Sequence, residues 1–579
     1  MFPVFVFINT TGRCDAAGQS VRFHLMESWH FTTVIDRRMC RNCILSVYFF
    51  RIYRNYEEIP VYYLKGWDTM ISKKTKRPNS IVRICLVGVS VLIQVLWMLL
   101  TVSKLNEYYT WISLATGLLS ATVVLNLYSM PVNTAQKTTW IILILLFPVM
   151  GLSLYLLVSL GDAGGTGKRL RKIRKGLAPF LVQQEQVLKE LSAKDPSDAN
   201  QFRYLWNFTG SPVWRNTALT YYPLGKPALE AMKQDLEQAE SFIFMEYFIV
   251  EDGSAFGELL EILERKAKAG VEVRLLYDDF GSVGYVNMEF ARRLNAGGIR
   301  CRIFNPAVPT LNLFMNHRDH RKITVIDGKV GFTGGYNLAD EYFGRTHPYG
   351  NWKDSGIRLE GEAVRSLTAT FLELWQLTTR EEERFDKYLN VCHRIPGEGF
   401  VQPFGDDPLG KERAAENVYL NLAARASGTL WFMTPYLIIN DEMTRALTLA
   451  AKRGVDVRII VPGVPDKKTV YQVSRSYFAG LASQGVRIFA YTPGFCHGKM
   501  CICDGKLASI GTSNLDYRSL YLHFENNVLL LDPAAVGEMV RDFEETFREC
   551  TELTEQYSKG RGAFLMLWQC LLRLFAPLM

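Results

Sequence analysis

The feature that most constrains this chain is a set of spacings that occurs twice. His320-Arg-Lys322-Ile-Thr-Val-Ile-Asp327-Gly328 and His497-Gly-Lys499-Met-Cys-Ile-Cys-Asp504-Gly505 each place a Lys two residues and an Asp seven residues after the His. In both copies a Gly follows the His by fourteen residues (Gly334, Gly511) and an Asn by seventeen (Asn337, Asn514). A lone His-x-Lys on a strand is usually a solvated edge, but four spacings kept across an offset of 177 residues mark an internal duplication. The flanks repeat as well: Gly270-Val-Glu-Val-Arg-Leu-Leu matches Gly454-Val-Asp-Val-Arg-Ile-Ile, and Gly298-Ile-Arg matches Gly485-Val-Arg.

Hydrophobic patterning turns the repeat into an architecture. Strands are expected at 241–250, 271–277 and 300–304, alternating with helices at 255–269 and 288–295. The second copy keeps the order, with a strand at 429–439, a helix at 441–452 and a strand at 455–461. Two α/β halves follow, 218–380 and 418–560, with a connector at 381–417 where Pro, Gly and charge accumulate.

Within each motif, β-branched residues and the following Asp-Gly predict a strand ending in a turn. Side chains alternate along a strand, so His320 and Lys322 share a face, as do His497 and Lys499. An imidazole beside an ammonium suits an anionic substrate, one attacking or moving protons and the other holding an oxyanion. Asp327 and Asp504 fit either a direct part in the reaction or a turn that holds the motif. Gly334-Gly335 and Gly511 fit close backbone approach to a phosphate, or a plain turn. His317 has Gly494 at the equivalent place and is left out of the site. Cys40-x-x-Cys43 has no second Cys or His pair, and Cys501 and Cys503 read as packing residues. Eleven scattered cysteines suit a reducing compartment. No metal and no cofactor are expected.

The length of 579 residues calls for more than one unit. Three uncharged apolar stretches, Ile84–Ser103, Tyr109–Met130 and Thr138–Gly161, predict an α-helical transmembrane region at 81–162. Basic residues flank it on both sides, Lys73 to Arg83 before and Lys168 to Lys175 after. Both flanks ask to be cytoplasmic, which two crossings satisfy and three do not; the denser downstream cluster places the soluble part in the cytoplasm. That cluster reads as a solvated linker or as a holder of anionic head groups. The net charge of +8 fits an anionic membrane surface or nucleic acid. Residues 1–80 show no clean period, and Met70, before a short basic lead, has the form of a natural start. Residues 163–217 read as a linker carrying a short helix at 181–191. Residues 561–579 read as an apolar C-terminal helix, on the membrane surface or docked on the core.

Two further stretches carry a resemblance: Asn351-Trp-Lys-Asp354, and Gly511-Thr-Ser-Asn514-Leu-Asp516-Tyr-Arg518-Ser519. With the paired motifs and the apolar N-terminal region, the chain from about Ile81 to Met579 resembles bacterial cardiolipin synthases of the phospholipase D superfamily. That resemblance implies duplicated phospholipase D-type halves, mixed sheets flanked by helices, behind the transmembrane region. A pseudo-twofold would bring His320 and His497 into one cleft. It also implies phosphatidyl transfer from one phosphatidylglycerol to another, giving cardiolipin and glycerol. His320 would be the nucleophile, forming a phosphohistidine, and His497 the acid and base. Lys322, Lys499, Asn337 and Asn514 would hold phosphate oxygens. Glu525 would support His320 and Asp354 would support His497, each across the halves. The implied partners are phosphatidylglycerol and anionic membrane lipid, not nucleic acid, at a multi-pass cell-membrane location. A phospholipase D-type hydrolase, a phosphatidylserine-type transferase and a silent membrane scaffold are the other readings. The chain departs from the family at His523, where Asn is frequent.

Overall fold

A computed structural model of the chain describes residues 109–130, 133–160, 165–287, 289–306, 316–379, 381–559 and 563–574, with 89, 92, 96 and 576. The expectations for residues 1–80, including a start at Met70, lie outside the described residues.

In chain order the first half contributes β1 (Thr217–Tyr222), β2 (Phe242–Tyr247), β3 (Glu272–Asp278), β4 (Arg300–Phe304), β5 (Arg318–Asp319), β6 (Lys322–Ile326), β7 (Val330–Gly334), β8 (Asn351–Lys353) and β9 (Gly356–Gly361). The second contributes β10 (Phe400–Asp406), β11 (Thr429–Met433), β12 (Asp456–Pro462), β13 (Arg487–Tyr491), β14 (Gly494–Cys496), β15 (Met500–Cys503), β16 (Leu507–Gly511), β17 (His523–Leu531) and β18 (Cys550–Glu552). The first sheet runs β1-β9-β7-β6-β2-β3-β4 and the second β10-β17-β16-β15-β11-β12-β13-β18. Strand for strand the order is the same, with β18 added at one edge, so the duplication in the sequence is a duplication of topology. Parallel pairs (β2-β3-β4, β11-β12-β13) sit beside antiparallel ones in each sheet. Their near-continuous apolar burial is what two covered faces require.

Two short strands tie the halves together, and they do so reciprocally. β5 pairs parallel with β17, Arg318 opposite His523 and Asp319 opposite Phe524. β14 pairs parallel with β8, Gly494 opposite Asn351 and Cys496 opposite Lys353. The residue after β5 is His320 and the residue after β14 is His497. Each motif histidine therefore enters the cleft alongside a strand of the other half, its N–H donating to Phe524 O (2.9 Å) or Lys353 O (2.7 Å).

The two segments read as connectors are parts of the packed structure. Residues 381–417 supply β10, which pairs with β17 despite Pro403 and Gly405 in its length. Residues 163–217 supply the helix Gly165–Leu177 and two further helices, Glu185–Lys194 and Pro196–Thr209, separated by Asp195. The Asp195 carboxylate caps the second of these through the N–H groups of Ser197 and Asp198. Leu191, Phe202 and Leu205 from this pair are fully buried in the core of the second half.

In the N-terminal region, α1 (Tyr109–Ser129) coincides with the second apolar stretch. The third stretch does not form one helix. It forms α2 (Thr134–Leu146) and α3 (Pro148–Leu160), broken at Phe147 because Pro148 has no N–H and cannot continue the ladder. α3 turns back on α2, with the Trp140 and Tyr155 rings 5.6 Å apart, and any side chain at Gly151 would strike the Leu143 carbonyl. Each 13-residue helix is about 20 Å long at ~1.5 Å per residue, short of a ~30 Å hydrocarbon core. Among the described residues, no helix is long and apolar enough to cross a membrane. The first stretch lies almost wholly outside them. Next come α4 (Gly165–Leu177), which docks on α5 (Val364–Leu377), and at the C-terminus α6 (Ala563–Leu574). α6 holds Arg573 against the Tyr477 ring and leaves Met566, Leu567 and Trp568 exposed.

Candidate active site

The site is built where the two reciprocal strand pairs end. Nδ1 of His320 lies 2.9 and 3.0 Å from the two carboxylate oxygens of Glu525. Nδ1 of His497 lies 2.6 Å from Asp354 Oδ2. The geometry follows from the strands: β5 beside β17 brings His320 level with Glu525, and β14 beside β8 brings His497 level with Asp354. A side chain at Gly335 would collide with the Asp354 carboxylate, so this glycine makes room for a protein carboxylate rather than for a phosphate. Glu525 also accepts a hydrogen bond from Thr512 Oγ1. Phe248 stands edge-on to His320 (5.1 Å) and Tyr342 edge-on to His497 (5.3 Å).

Both lysines are buried with the histidines. Lys322 Nζ donates to His320 O at 2.6 Å, and Lys499 Nζ donates to His497 O and lies 2.8 Å from His497 Nδ1. Burial holds the proton affinity of His320 well below the ordinary imidazole value, and Lys322, Lys499 and His497 lower it further. Burial, then Lys499 and Lys322, do the same to His497. The two motifs meet in one cleft: the Lys322 N–H donates to Asn526 Oδ1, and a Cβ at Gly335 would lie 3.1 Å from His497 O. Burial also pulls Lys322 down to about 7 and Lys499 to about 8, and lifts Asp354 to about 7. The site is thus a low-dielectric cluster of neutral imidazoles and ammonium groups poised to lose or keep a proton near neutrality.

Four expected site residues sit elsewhere or are otherwise engaged. Asp327 lies five residues along the strand from Lys322, roughly 16 Å at about 3.3 Å per residue. Its carboxylate accepts from the N–H groups of Glu240, Ser241 and Phe242. Asp504 does the same for Ser427, Gly428 and Thr429. Both have positive φ, 52° and 53°, at the turn after the motif strand. They fasten that strand to the loop before the neighbouring one, and the structure separates them from the histidines. Asn337 is a brace, accepting from Ile249 N and donating to Tyr342 Oη. Asn514 donates to Asp516, and its Oδ1 has no hydrogen-bond partner.

The sequence marked His523 as a departure from the family and not as a site residue. It is buried, and among the described residues neither ring nitrogen has a hydrogen-bond partner. It also reveals what spacing could not: donor atoms of His320, His523 and Glu525 lie within 4.8 Å of one another, a set that could take a metal ion. Trp352 Nε1 and Ser355 Oγ are likewise buried without a partner. A cleft lined by unsatisfied donors and acceptors is one that receives a polar ligand.

Comparison with known proteins places this geometry. The family described as "Cardiolipin synthase, PLD-like domain" matches residues 232–375 and 419–547, the two halves. An uncharacterized protein of Streptococcus mutans is 40% identical over 79% of this chain and 99% of its own length. Cardiolipin synthase 2 of Bacillus cereus is 35% identical over 77% of this chain and 87% of its own. Cardiolipin synthase of Geobacillus thermodenitrificans is 32% identical over 85% and 99%. Among solved structures, phosphatidylserine synthase of Haemophilus influenzae shares the fold, with a TM-score of 0.51 at 14% identity, covering 66% of this chain and 98% of that one. The chain belongs to the cardiolipin synthase family of the phospholipase D superfamily.

Proposed function

We propose that the chain is a phosphatidyltransferase that makes cardiolipin from two molecules of phosphatidylglycerol, with a phosphohistidine between two displacements. The observation that carries this reading is the crossed pair of imidazole–carboxylate contacts, His320–Glu525 and His497–Asp354, beside two buried lysines. Glu525 holds His320 Nδ1 and leaves Nε2 as a lone-pair nucleophile. Nε2 attacks phosphorus, the P–O bond to glycerol breaks, and His497, which enters the step as an imidazolium once the bound anion has raised its proton affinity, gives its Nε2 proton to the leaving oxygen and is left neutral. In the second step His497 takes a proton from the terminal hydroxyl of another phosphatidylglycerol, whose oxygen displaces His320. The anionic phosphodiester raises the proton affinity of the lysines and of His497, so the arriving substrate itself favours ammonium at Lys322 and Lys499. Those charges stabilise the equatorial oxygens where negative charge gathers. Asp327 and Asp504 support the motif strands and take no part in the chemistry.

This reading requires lipid substrates, and the apolar N-terminal region supplies the membrane attachment. The region from about residue 81 anchors the enzyme, with the two halves on the cytoplasmic side. Leu145, Leu146 and Phe147, exposed at the turn between α2 and α3, support contact with lipid, as do Met566, Leu567 and Trp568 on α6. The test is purified full-length enzyme in detergent with labelled phosphatidylglycerol. Cardiolipin and free glycerol in equal amounts are expected; phosphatidic acid as the sole lipid product would identify a hydrolase instead.

A further inference from the structure

The two ends of the cleft match place for place, and they differ in the carboxylate that contacts the imidazole, Asp354 or Glu525, and in the residue two positions before it. On one side Trp352, Asp354 and His497 stand together: Asp354 contacts the imidazole, and the Trp352 ring, two residues upstream, packs 5.5 Å from it. On the other side the same places are held by His523, Glu525 and His320. Glu525 contacts the imidazole, and the His523 ring, two residues upstream, lies 5.4 Å from it. His523 and Glu525 share a face of β17 because strand side chains alternate. The His523 ring is 8% exposed, packs near Phe248, and among the described residues has no hydrogen bond at either nitrogen. Its nearest carboxylate approach, Nδ1 to Glu525 Oε1, is 3.8 Å, too long to satisfy it. A buried polar ring left without a partner beside the nucleophile has its partner in the ligand.

We propose that His523 binds the substrate phosphodiester, its ring N–H donating to a non-bridging oxygen on the His320 side of the cleft. The inference rests on the phosphatidyl-transfer reading above. In an in-line displacement the leaving glycerol lies opposite His320, on the His497 and Trp352 side. The retained oxygens lie around phosphorus, which must sit within about 3.5 Å of the attacking nitrogen. His523 is beside the nucleophile, so it meets a retained oxygen and not the glycerol hydroxyls. A neutral imidazole carries one N–H donor, so His523 complements the two lysines without adding charge.

Two variants separate this role from packing. His523→Phe keeps a ring against Phe248 and His320 but removes the N–H; His523→Asn restores a donor. Formation of phosphohistidine is followed by rapid quench with phosphatidylglycerol and with a phosphatidyl aryl ester, whose leaving group carries no hydroxyl, in detergent micelles containing chelator. The expected result is a loss of ~10–100-fold in His523→Phe with both substrates, recovered to within about 5-fold in His523→Asn, with melting temperatures unchanged. Wild-type rates in His523→Phe would overturn the proposal. So would a loss confined to the glycerol substrate, which would mean a hydroxyl contact, or a loss that Asn fails to rescue, which would mean packing. Absence of phosphohistidine in the wild-type enzyme with either substrate would instead overturn the reaction on which the proposal rests.

Discussion

Nδ1 of His320 lies 2.9 Å from Glu525 Oε1, although the two residues belong to different halves of the duplication. Neither half holds its own histidine, so each half completes the proposed site of the other. Glu525→Gln keeps the shape and removes the charge that fixes the tautomer. Phosphohistidine formation should slow by ~10²–10⁴-fold, the range seen for a misheld histidine in the serine-protease triad, a different system. A rapid-quench rate equal to wild type would refute the pairing's role.

Asp354 stands in the same relation to His497 at 2.6 Å. Asp354→Asn should spare the attack on a substrate with a good leaving group, which needs little protonation. It should slow transfer to the acceptor alcohol, which needs His497 as base. The intermediate would then accumulate. A variant that forms phosphohistidine as slowly as Glu525→Gln, even from an aryl ester, would show that the two acids do not divide the steps.

Much of this was legible in the sequence because duplication exposes itself: two copies of one spacing mark the residues that matter, and strand alternation places His and Lys together. What was hidden depends on strand pairing over long separations. Nothing local in Pro403 and Gly405 announces β10, whose partner β17 lies more than a hundred residues on. His523 has Trp352 as its counterpart, so a search for repeated identities passes over it. Asp327 and Asp504 repeat faithfully for a structural reason, the three N–H groups each one gathers. Repetition marks necessity, and necessity can be architectural.

That distinction is measurable at Asp327. Asp327→Ala leaves the N–H groups of Glu240, Ser241 and Phe242 without their shared acceptor and puts a Cβ residue with no side-chain acceptor at φ 52°. A destabilisation of about 2–4 kcal/mol is expected, read as a lower melting temperature. The folded enzyme should keep kcat within about 3-fold. A large fall in kcat at unchanged melting temperature would move Asp327 into the reaction.

The two lysines set an alkaline limit. In the proposed reaction each acts as ammonium, and burial lowers Lys322 to about 7 and Lys499 to about 8. A lysine with a depressed pKa loses its charge as pH rises through that value, so kcat/KM, which reports the free enzyme, should fall between about pH 7 and pH 8. The limb in kcat should lie higher, because the bound phosphodiester opposes deprotonation. A kcat/KM profile flat from about pH 6 to about pH 10 would contradict charged lysines in the mechanism.

The basic helix α4 offers the last test, because its cations divide into two kinds. Arg174 is committed to the fold: it contacts Glu373 at 2.5 and 3.2 Å and Asp407 at 2.5 Å, and Glu373 in turn holds the buried Arg321 beside the motif. Arg169 donates to Gln376 O on α5. Lys172 is exposed and pairs with Glu382 at 3.4 Å; Lys168, Arg171 and Lys175 are exposed as well, while Leu170, Ile173 and Leu177 pin the opposite face to the core. Lys168, Arg171 and Lys175 follow directly on the apolar hairpin of α2 and α3, at the height of the head groups if that hairpin enters lipid. Each cation near an anionic surface contributes ~1 kcal/mol, so replacing all three by Gln should weaken binding to phosphatidylglycerol vesicles by up to ~100-fold at low salt. The loss should shrink as salt shortens the screening length, and kcat in detergent micelles should be unchanged. Arg174→Ala should do the reverse, lowering the melting temperature because Glu373 and Asp407 are left buried without it. Equal vesicle binding by the triple variant and the wild type would mean that these cations face only water.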